Sequence, residues 1–443
     1  MPVFDRAAVS PSAVAAALSR RRFLGTASAV GLGAAGLSAC SDSESGATDG
    51  KGRTVVEWWN IQTTEPSKTV WPERAKAFEA EHPDVHIKLV TLENDAYKSK
   101  MTALTSSGKL PDIYHTWGGG VLQQQIDAGL VEDLTDAIEP LSDTFVGVAP
   151  DPYKFDGKMY AMPMEIGGVG FWYNKAHFKK AGVTSPPATW SDYLDAVKKL
   201  KSAGITPIAL AGKEKWPGMY YWAYLAMRIA GVDGMKKAAD AKDFTGDDFV
   251  KAGERLKELV ALKPFQKGFL GAAYSTPNGE AATMGNGKAA MELMGQWAPV
   301  VQADAGKGVG KDLGFFTFPT VAGGKGDGYD IFGGGGGYAV RKGAPKAAVD
   351  FLKFFMSPAS DKLLVKKANL MPALKGAIGS LTDPNLKLVS AALDKATGFQ
   401  LYLDQAYPPA LGQEINDSVA ALIAGAKSPE QAARSITQVA KSQ

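Results

Sequence analysis

Between Val55 and His115 the chain switches repeatedly between two hydrophobic periods, and this alternation limits its fold more than any other feature. Val55 to Trp59 is a short apolar run of strand type. Lys68 to Glu81 carries Trp71, Ala75 and Phe78 at helical spacing, and His86 to Thr91 alternates every second residue. A helical pattern from about Asp95 to Ser107 leads to a further strand at Asp112 to His115. Strand, helix, strand, helix, strand requires parallel strands joined by right-handed crossovers, so an α/β fold is predicted. The 443 residues exceed the size at which a single core keeps growing, so two lobes are expected.

Further along, Tyr153 to Tyr160 reads as a hairpin, because Asp156-Gly157 suits a two-residue turn with positive φ. Thr189 with Asp192 forms a capping box before a helix whose buried stripe is Tyr193, Leu194, Val197 and Leu200, and Gly204 stops it. Ile205 to Leu210 is predicted as a strand. Residues 214 to 300 are predicted to be mostly helical, with a loop at Ser275 to Gly279. Five consecutive glycines, Gly333 to Gly337, lie between Phe332 and Tyr338, a composition that marks close backbone approach and points to a strand crossing between lobes. Asn416 to Gln443 reads as two helices, the second opened by Ser428-Pro429-Glu430.

The amino terminus carries two address signals. Ser19-Arg20-Arg21-Arg22-Phe23-Leu24 has the twin-arginine export pattern, and Leu37-Ser38-Ala39-Cys40 reads as a lipid-attachment box ending in the only cysteine. Residues 1–39 are therefore expected to be a signal peptide, Cys40 the lipidated first mature residue, and 40–53, which lacks apolar periodicity, a flexible tether. The Phe23 to Leu37 stretch is shorter than the roughly 20 residues of a membrane span, so lipid is the expected membrane attachment of a soluble body outside the cytoplasmic membrane. Removal of 1–39 takes away Arg6, Arg20, Arg21, Arg22 and Asp5, which brings the 49 basic and 46 acidic residues to equal numbers. A neutral chain without a basic block is not suited to nucleic acid.

Several chemistries lack their residues. His82, His86, His115 and His177 are scattered and no thiol is spare, so no metal site is expected. No Gly-x-Ser-x-Gly elbow occurs, and Gly285-Asn286-Gly287-Lys288 lacks the remainder of a phosphate loop, so neither a hydrolase of that type nor a nucleotide cofactor is expected. Glu165 and Asp404 are the kind of pair a glycosidase uses as acid and nucleophile, at a separation the sequence leaves open. What stands out is a set of aromatic residues beside small or polar ones where elements end: Trp58-Trp59-Asn60, Trp117-Gly118, Trp216-Pro217, Tyr220-Tyr221-Trp222, Trp297-Ala298 and Tyr402 to Asp404. Ligands of open α/β sheets bind beyond the carboxyl ends of strands. Rings cover the C–H faces of a pyranose while amides and carboxylates satisfy its hydroxyls, so an uncharged polyol is the expected ligand.

These residues carry a family resemblance over nearly the whole mature chain. Val56-Glu57-Trp58-Trp59-Asn60, Leu110 to Trp117 with Ala128 to Asp133, Gly170-Phe171-Trp172-Tyr173-Asn174-Lys175, Gly287 to Met291 with Gly295-Gln296-Trp297-Ala298, and the glycine strand leading into Ala347 to Met356 follow one another as in extracellular solute-binding proteins of carbohydrate ABC importers. The resemblance implies a two-lobe periplasmic-binding-protein-like fold with hinge crossovers and a ligand cleft. Lobe 1 would comprise 54–164 and 338–372, and lobe 2 165–337 and 373–443. It also implies binding without catalysis, in a monomer that delivers sugar to permease subunits and their ATPase. Asn60, Gln62 and Thr63 match the loop that touches hydroxyls, Trp117 and Trp297 match stacking positions, and Glu165 lies near the first crossover. Trp216, Tyr220, Tyr402 and Asp404 match further ligand positions, with Gly118, Gly335 and Gly336 beside them. Maltose-binding relatives have an acid and a base after the equivalent of Trp117, where this chain has Gly118-Gly119-Gly120-Val121. Gly212-Lys213-Glu214-Lys215-Trp216-Pro217-Gly218, the glycine strand and Thr397 to Asp404 resemble xylo-oligosaccharide (xylobiose) binding lipoproteins most, with cello- and chito-oligosaccharides as the alternatives and a secreted glycoside hydrolase or an adhesive lipoprotein as the other classes.

Overall fold

The computed structural model describes residues 47–443. The signal peptide expected over 1–39 and the lipidation expected at Cys40 lie outside the described residues. Of the tether expected over 40–53, residues 47–53 are described and form a turn against β1. Val55 N–H donates to the Ala47 carbonyl at 2.8 Å, and Asp49 accepts from the Lys51 and Arg53 N–H groups and pairs with the Arg53 guanidinium at 2.8 Å. A turn closed by one carboxylate leaves no apolar pattern to read.

The strands run β1 (Thr54–Asn60), β2 (Val85–Thr91), β3 (Ile113–Thr116), the hairpin β4 (Lys154–Phe155) and β5 (Lys158–Met159), β6 (Ala161–Pro163), β7 (Gly167–Gly168), β8 (Gly170–Asn174), β9 (Met291–Met294), β10 (Leu313–Phe316), β11 (Ile331–Gly334), β12 (Gly337–Val340) and β13 (Phe399–Leu401). The first sheet has the order β2-β1-β3-β12-β6. Within it β1 is parallel to β2 and β3, joined by the helices Ser67–Glu81 and Asn94–Ser107, whereas β12 is antiparallel to β3 and β6. The period of two along β1 sends its tryptophans to opposite faces. Trp58 packs edge-on against Tyr338, Phe351 and Phe355 at 4.8–5.4 Å, and Trp59 joins Tyr97 and Tyr114 in a separate cluster. Both are core residues, as are Tyr221 and Trp222.

The second half is built on two three-stranded sheets, β10-β8-β9 and β13-β11-β7. Against them lies the helix Trp216–Ala230, buried along its whole length, as a helix apolar on all sides must be. Its one charge, Arg228, is satisfied by the carbonyls of Phe318, Gly328 and Asp330. One local expectation fails here. Ile205 to Leu210 forms only isolated bridges at Ile208, because Pro207 removes a ladder donor. The region 214–300 is mostly helical as expected, with helices at Trp216–Ala230, Val232–Asp240, Asp247–Ala261 and Glu280–Gly285, and it also contains β9, whose Met-Glu-Leu-Met composition suits a buried helix equally well.

The chain passes between the halves at three adjacent places. Met164 to Ile166 links β6 to β7, Gly335-Gly336 links β11 to β12, and Leu370 to Leu374 leads towards the helix Pro384–Leu393. Met164 and Glu165 N–H groups donate to the Gly336 carbonyl at 2.9 and 3.1 Å, and Ile166 N–H donates to Met371 at 3.3 Å. A Cβ on Gly335 would run into the Glu165 carbonyl, which is why the crossing is made of glycine. Ala373 and Leu374 still pack with the first sheet's core, whereas Ala377 packs in a separate cluster with Val365, Met371, Leu381 and Leu386.

Candidate functional site

A cavity of about 200 Å³ lies against the crossovers, lined from both halves. The ends of β1, β3, β9 and β13 all lead into it, the placement expected of an α/β ligand site. Among the residues singled out in the sequence, Gln62, Thr63, Trp117, Glu165, Trp216, Tyr220, Trp297, Gly335, Gly336, Tyr402 and Asp404 line the cavity.

Asn60 and Gly118 are not among its lining residues. Asn60 is fully buried; its side-chain oxygen accepts from Gln62 N–H at 2.9 Å and from Thr91 Oγ1 at 3.3 Å, so it shapes the loop that presents Gln62 and Thr63. Gly118, at φ +76°, turns the chain from β3 into the helix Gly119–Asp127, its N–H donating to Thr116 Oγ1 at 3.0 Å. A side chain there would strike the Pro152 backbone.

The second half supplies an almost continuous aromatic wall. Trp216 and Tyr220 sit one turn apart at the start of a helix and so share a face. Trp216 contacts Tyr220 at 5.4 Å and Tyr274 at 5.5 Å, Tyr220 stacks on Tyr402 at 5.7 Å, and Trp297 meets Tyr402 at 6.1 Å. Facing it from the first half, Trp117 packs edge-on against His115 at 4.5 Å. Trp117 and Trp297 keep part of their surface open, whereas Trp216, Tyr220 and Tyr402 are almost wholly covered.

Between the rings stand polar groups that no local sequence pattern marks as ligand contacts. Lys98 stands on the helix Asn94–Ser107, His115 on β3, and Gln296 directly before Trp297 after the end of β9. Lys98 Nζ reaches across to Asp404 Oδ2 at 2.8 Å and lies 5.0 Å over the Trp117 ring. Burial, helped by the Lys98 charge, pushes the His115 imidazole down to about 3, so it is neutral. Burial also pushes the Glu165 carboxyl up to about 7, against the opposing pull of the Gln296 amide at 3.4 Å and a Gly336 N–H. Both His115 nitrogens, Gln296 Oε1, Trp216 Nε1 and Tyr402 Oη have no hydrogen-bond partner among the described residues. Unpaired buried polar atoms are costly, and a cluster of them around one cavity is what a hydroxyl-rich ligand would satisfy. The arrangement offers rings, neutral donors and acceptors, and one internally neutralised ion pair.

Comparison with known proteins agrees with this geometry. The family profile described as bacterial extracellular solute-binding protein matches residues 62–362. A multiple sugar-binding protein of Streptococcus mutans is 28% identical over 348 residues, covering 75% of this chain and 77% of its own. A structure solved in work on xylan utilization by the thermophilic bacterium Caldanaerobius polysaccharolyticus is 30% identical with a TM-score of 0.80, covering 87% of this chain and 99% of its own. A chitin oligosaccharide binding protein is 28% identical, also with a TM-score of 0.80, covering 88% and 98%.

Proposed function

Because the chain belongs to the bacterial extracellular solute-binding protein family, we propose that it captures an oligosaccharide in the cavity between its halves and hands it, unaltered, to the permease of an ABC importer. The observation that carries this reading is the cavity lining: five rings from the second half and Trp117 from the first, interleaved with uncharged polar atoms that lack protein partners. Trp117 and Trp297 cover sugar C–H faces; Gln62, Thr63, Glu165, Gln296 and Asp404 take hydroxyls. Gly335-Gly336, Met164 to Ile166 and Leu370 to Leu374 act as the hinge between lobe 1, 54–164 with 338–372, and lobe 2, 165–337 with 373–443, save that Gly337 pairs in the first sheet and Ala373 and Leu374 pack in its core, which assigns these three to lobe 1. Sugar bridging both lobes shifts an open–closed equilibrium towards the closed form. A monomer tethered through lipidated Cys40 would present its cargo to permease subunits driven by a separate ATPase.

Xylobiose and longer xylo-oligosaccharides are the favoured ligands. The similarity to the structure from xylan-utilization work supports this, and a ring at the C5 edge would exclude sugars that carry a hydroxymethyl group there. The equally high structural similarity to a chitin oligosaccharide binding protein keeps the chito series as the second reading.

The test is a thermal-shift and calorimetric panel of xylo-, cello-, chito- and malto-oligosaccharides on the chain beginning at Ala47. A micromolar dissociation constant, about 8 kcal/mol, is expected for the xylo series. No stabilisation by any member would remove the reading, and release of monosaccharide from xylobiose would point to a hydrolase.

A further inference from the structure

We propose that the Lys98–Asp404 ion pair is the end wall of the sugar cavity, so that the protein grips its oligosaccharide by one terminus and lets the rest of the chain leave on the opposite side. This rests on the saccharide reading above and adds to it the length and direction of the ligand.

The cavity is flanked by two further hollows. One, of about 290 Å³, shares with it Lys98, His115, Trp117, Trp216, Asp404 and Gln405. The other, an open groove of about 850 Å³, shares only Val300 and Asn369. These two borders differ in chemistry. At the first, Asp404 is only 9% exposed and accepts from both Lys98 at 2.8 Å and Gln405 Nε2 at 3.1 Å. Lys98 comes from the helix Asn94–Ser107 of the first half and Asp404 from the helix Leu403–Ala406 of the second, so the pair spans the cleft. A sugar unit crossing here would have to separate the two charges and leave a covered carboxylate unpaired, the change that costs most in such pairs. At the second border no hydrogen bond or ion pair joins Val300 to Asn369 among the described residues.

The two outer spaces also differ as hosts. The open groove has no aromatic ring and is lined by polar and charged side chains, among them Gln302, Asn385, Glu65, Lys175, Asp304 and Lys307, so it suits hydrated hydroxyls without stacking. Units beyond those held by the rings would lie there loosely and add little affinity. The hollow beyond the ion pair stays outside the ligand's path.

The experiment uses the wild-type protein and two blocked trisaccharides in titration calorimetry. One is xylotriose with a bulky aryl aglycone at its reducing end, the other xylotriose with a benzyl ether on O4 of its non-reducing unit. One probe is expected to bind within about threefold of plain xylotriose and the other to lose roughly 100-fold, the signature of a site open at one end only. Equal tolerance of both blocks, or rejection of both, overturns the wall. In the double variant Lys98→Ser with Asp404→Ser, the rejected probe should recover about tenfold relative to plain xylotriose; an unchanged ratio overturns the assignment to this pair. If that variant does not fold, the two probes on the wild type still decide. Failure of plain xylotriose and of the cello and chito series to bind the wild type would instead defeat the saccharide reading itself.

Discussion

Trp297 is the most informative single side chain, because it stands at the edge of the aromatic wall with part of its surface uncovered and Tyr402 edge-on to it at 6.1 Å. Truncation to alanine should remove a sugar-facing ring without opening the core. We expect Trp297→Ala to weaken oligosaccharide binding by about tenfold or more, equivalent to about 1.4 kcal/mol, while the empty protein melts within a few degrees of wild type. A large drop in melting temperature with intact affinity would assign the indole to packing instead. Glu165 makes a prediction in pH. A carboxyl held at about 7 when folded, against a usual 4.5, keeps its proton through that window, whereas the unfolded chain releases it. Its ionisation therefore costs nothing below about 4.5 and progressively destabilises the fold as pH rises through 7, by an amount on the order of 2 kcal/mol after allowance for its partial exposure. Glu165→Gln cannot ionise, so its stability relative to wild type should rise between pH 4.5 and pH 8 in ligand-free urea titrations. Parallel curves across that range would show that Glu165 ionises without penalty.

At the level of elements, the glycine strand is the part of the fold with least tolerance. Gly333 lies against the Gly167 backbone, Gly335 against Glu165, and Gly336 against the His115 ring, so the crossovers touch through main chain. Gly335→Ala is expected to destabilise by about 3 kcal/mol, because the obstructing atom is a backbone carbonyl that cannot rotate away. A circular-dichroism melt unchanged by this substitution would mean that the crossovers sit further apart than described. The same strand shows what the sequence could disclose. Five glycines between Phe332 and Tyr338 announced a close crossing, as the alternation from Val55 to His115 announced the parallel sheet, because both follow from local period and Cβ sterics. Less was legible where partners are distant. Nothing local to Lys98 indicates that it meets Asp404, 306 positions on. Asn60 looked like a ligand contact because it ends a strand, yet its hydrogen bonds turn inward to Gln62 and Thr91. Trp58, Trp59, Tyr221 and Trp222 have the same composition as the cavity rings, and only the direction of each face separates lining from core.

For the whole molecule, the glycines after Trp117 take on a role different from ligand contact. Gly119 and Gly120 open a helix of the first half directly beneath the Gln405 to Pro408 backbone of the second. A Cβ on Gly120 would meet the carbonyl carbon of Tyr407 and the nitrogen of Pro408, neither of which can yield without moving the segment that carries Tyr402 and Asp404. The halves can approach this closely only if these positions have no side chain, and the approach is what brings Lys98 to Asp404. If sugar capture is a population shift towards the closed arrangement, a wedge here should act on closure without touching ligand. Gly120→Val should leave the ligand-free radius of gyration unchanged in small-angle scattering. It should abolish the contraction that saturating oligosaccharide produces in wild type, and weaken affinity by about tenfold, or about 1.4 kcal/mol, as the closed form becomes costly to reach. The affinity loss should reside in the dissociation rate, since the first encounter with one lobe's rings is untouched. Contraction and affinity equal to wild type would show that the lobes of the bound protein do not meet at Gly120, and closure would then have to be sought at the crossovers alone.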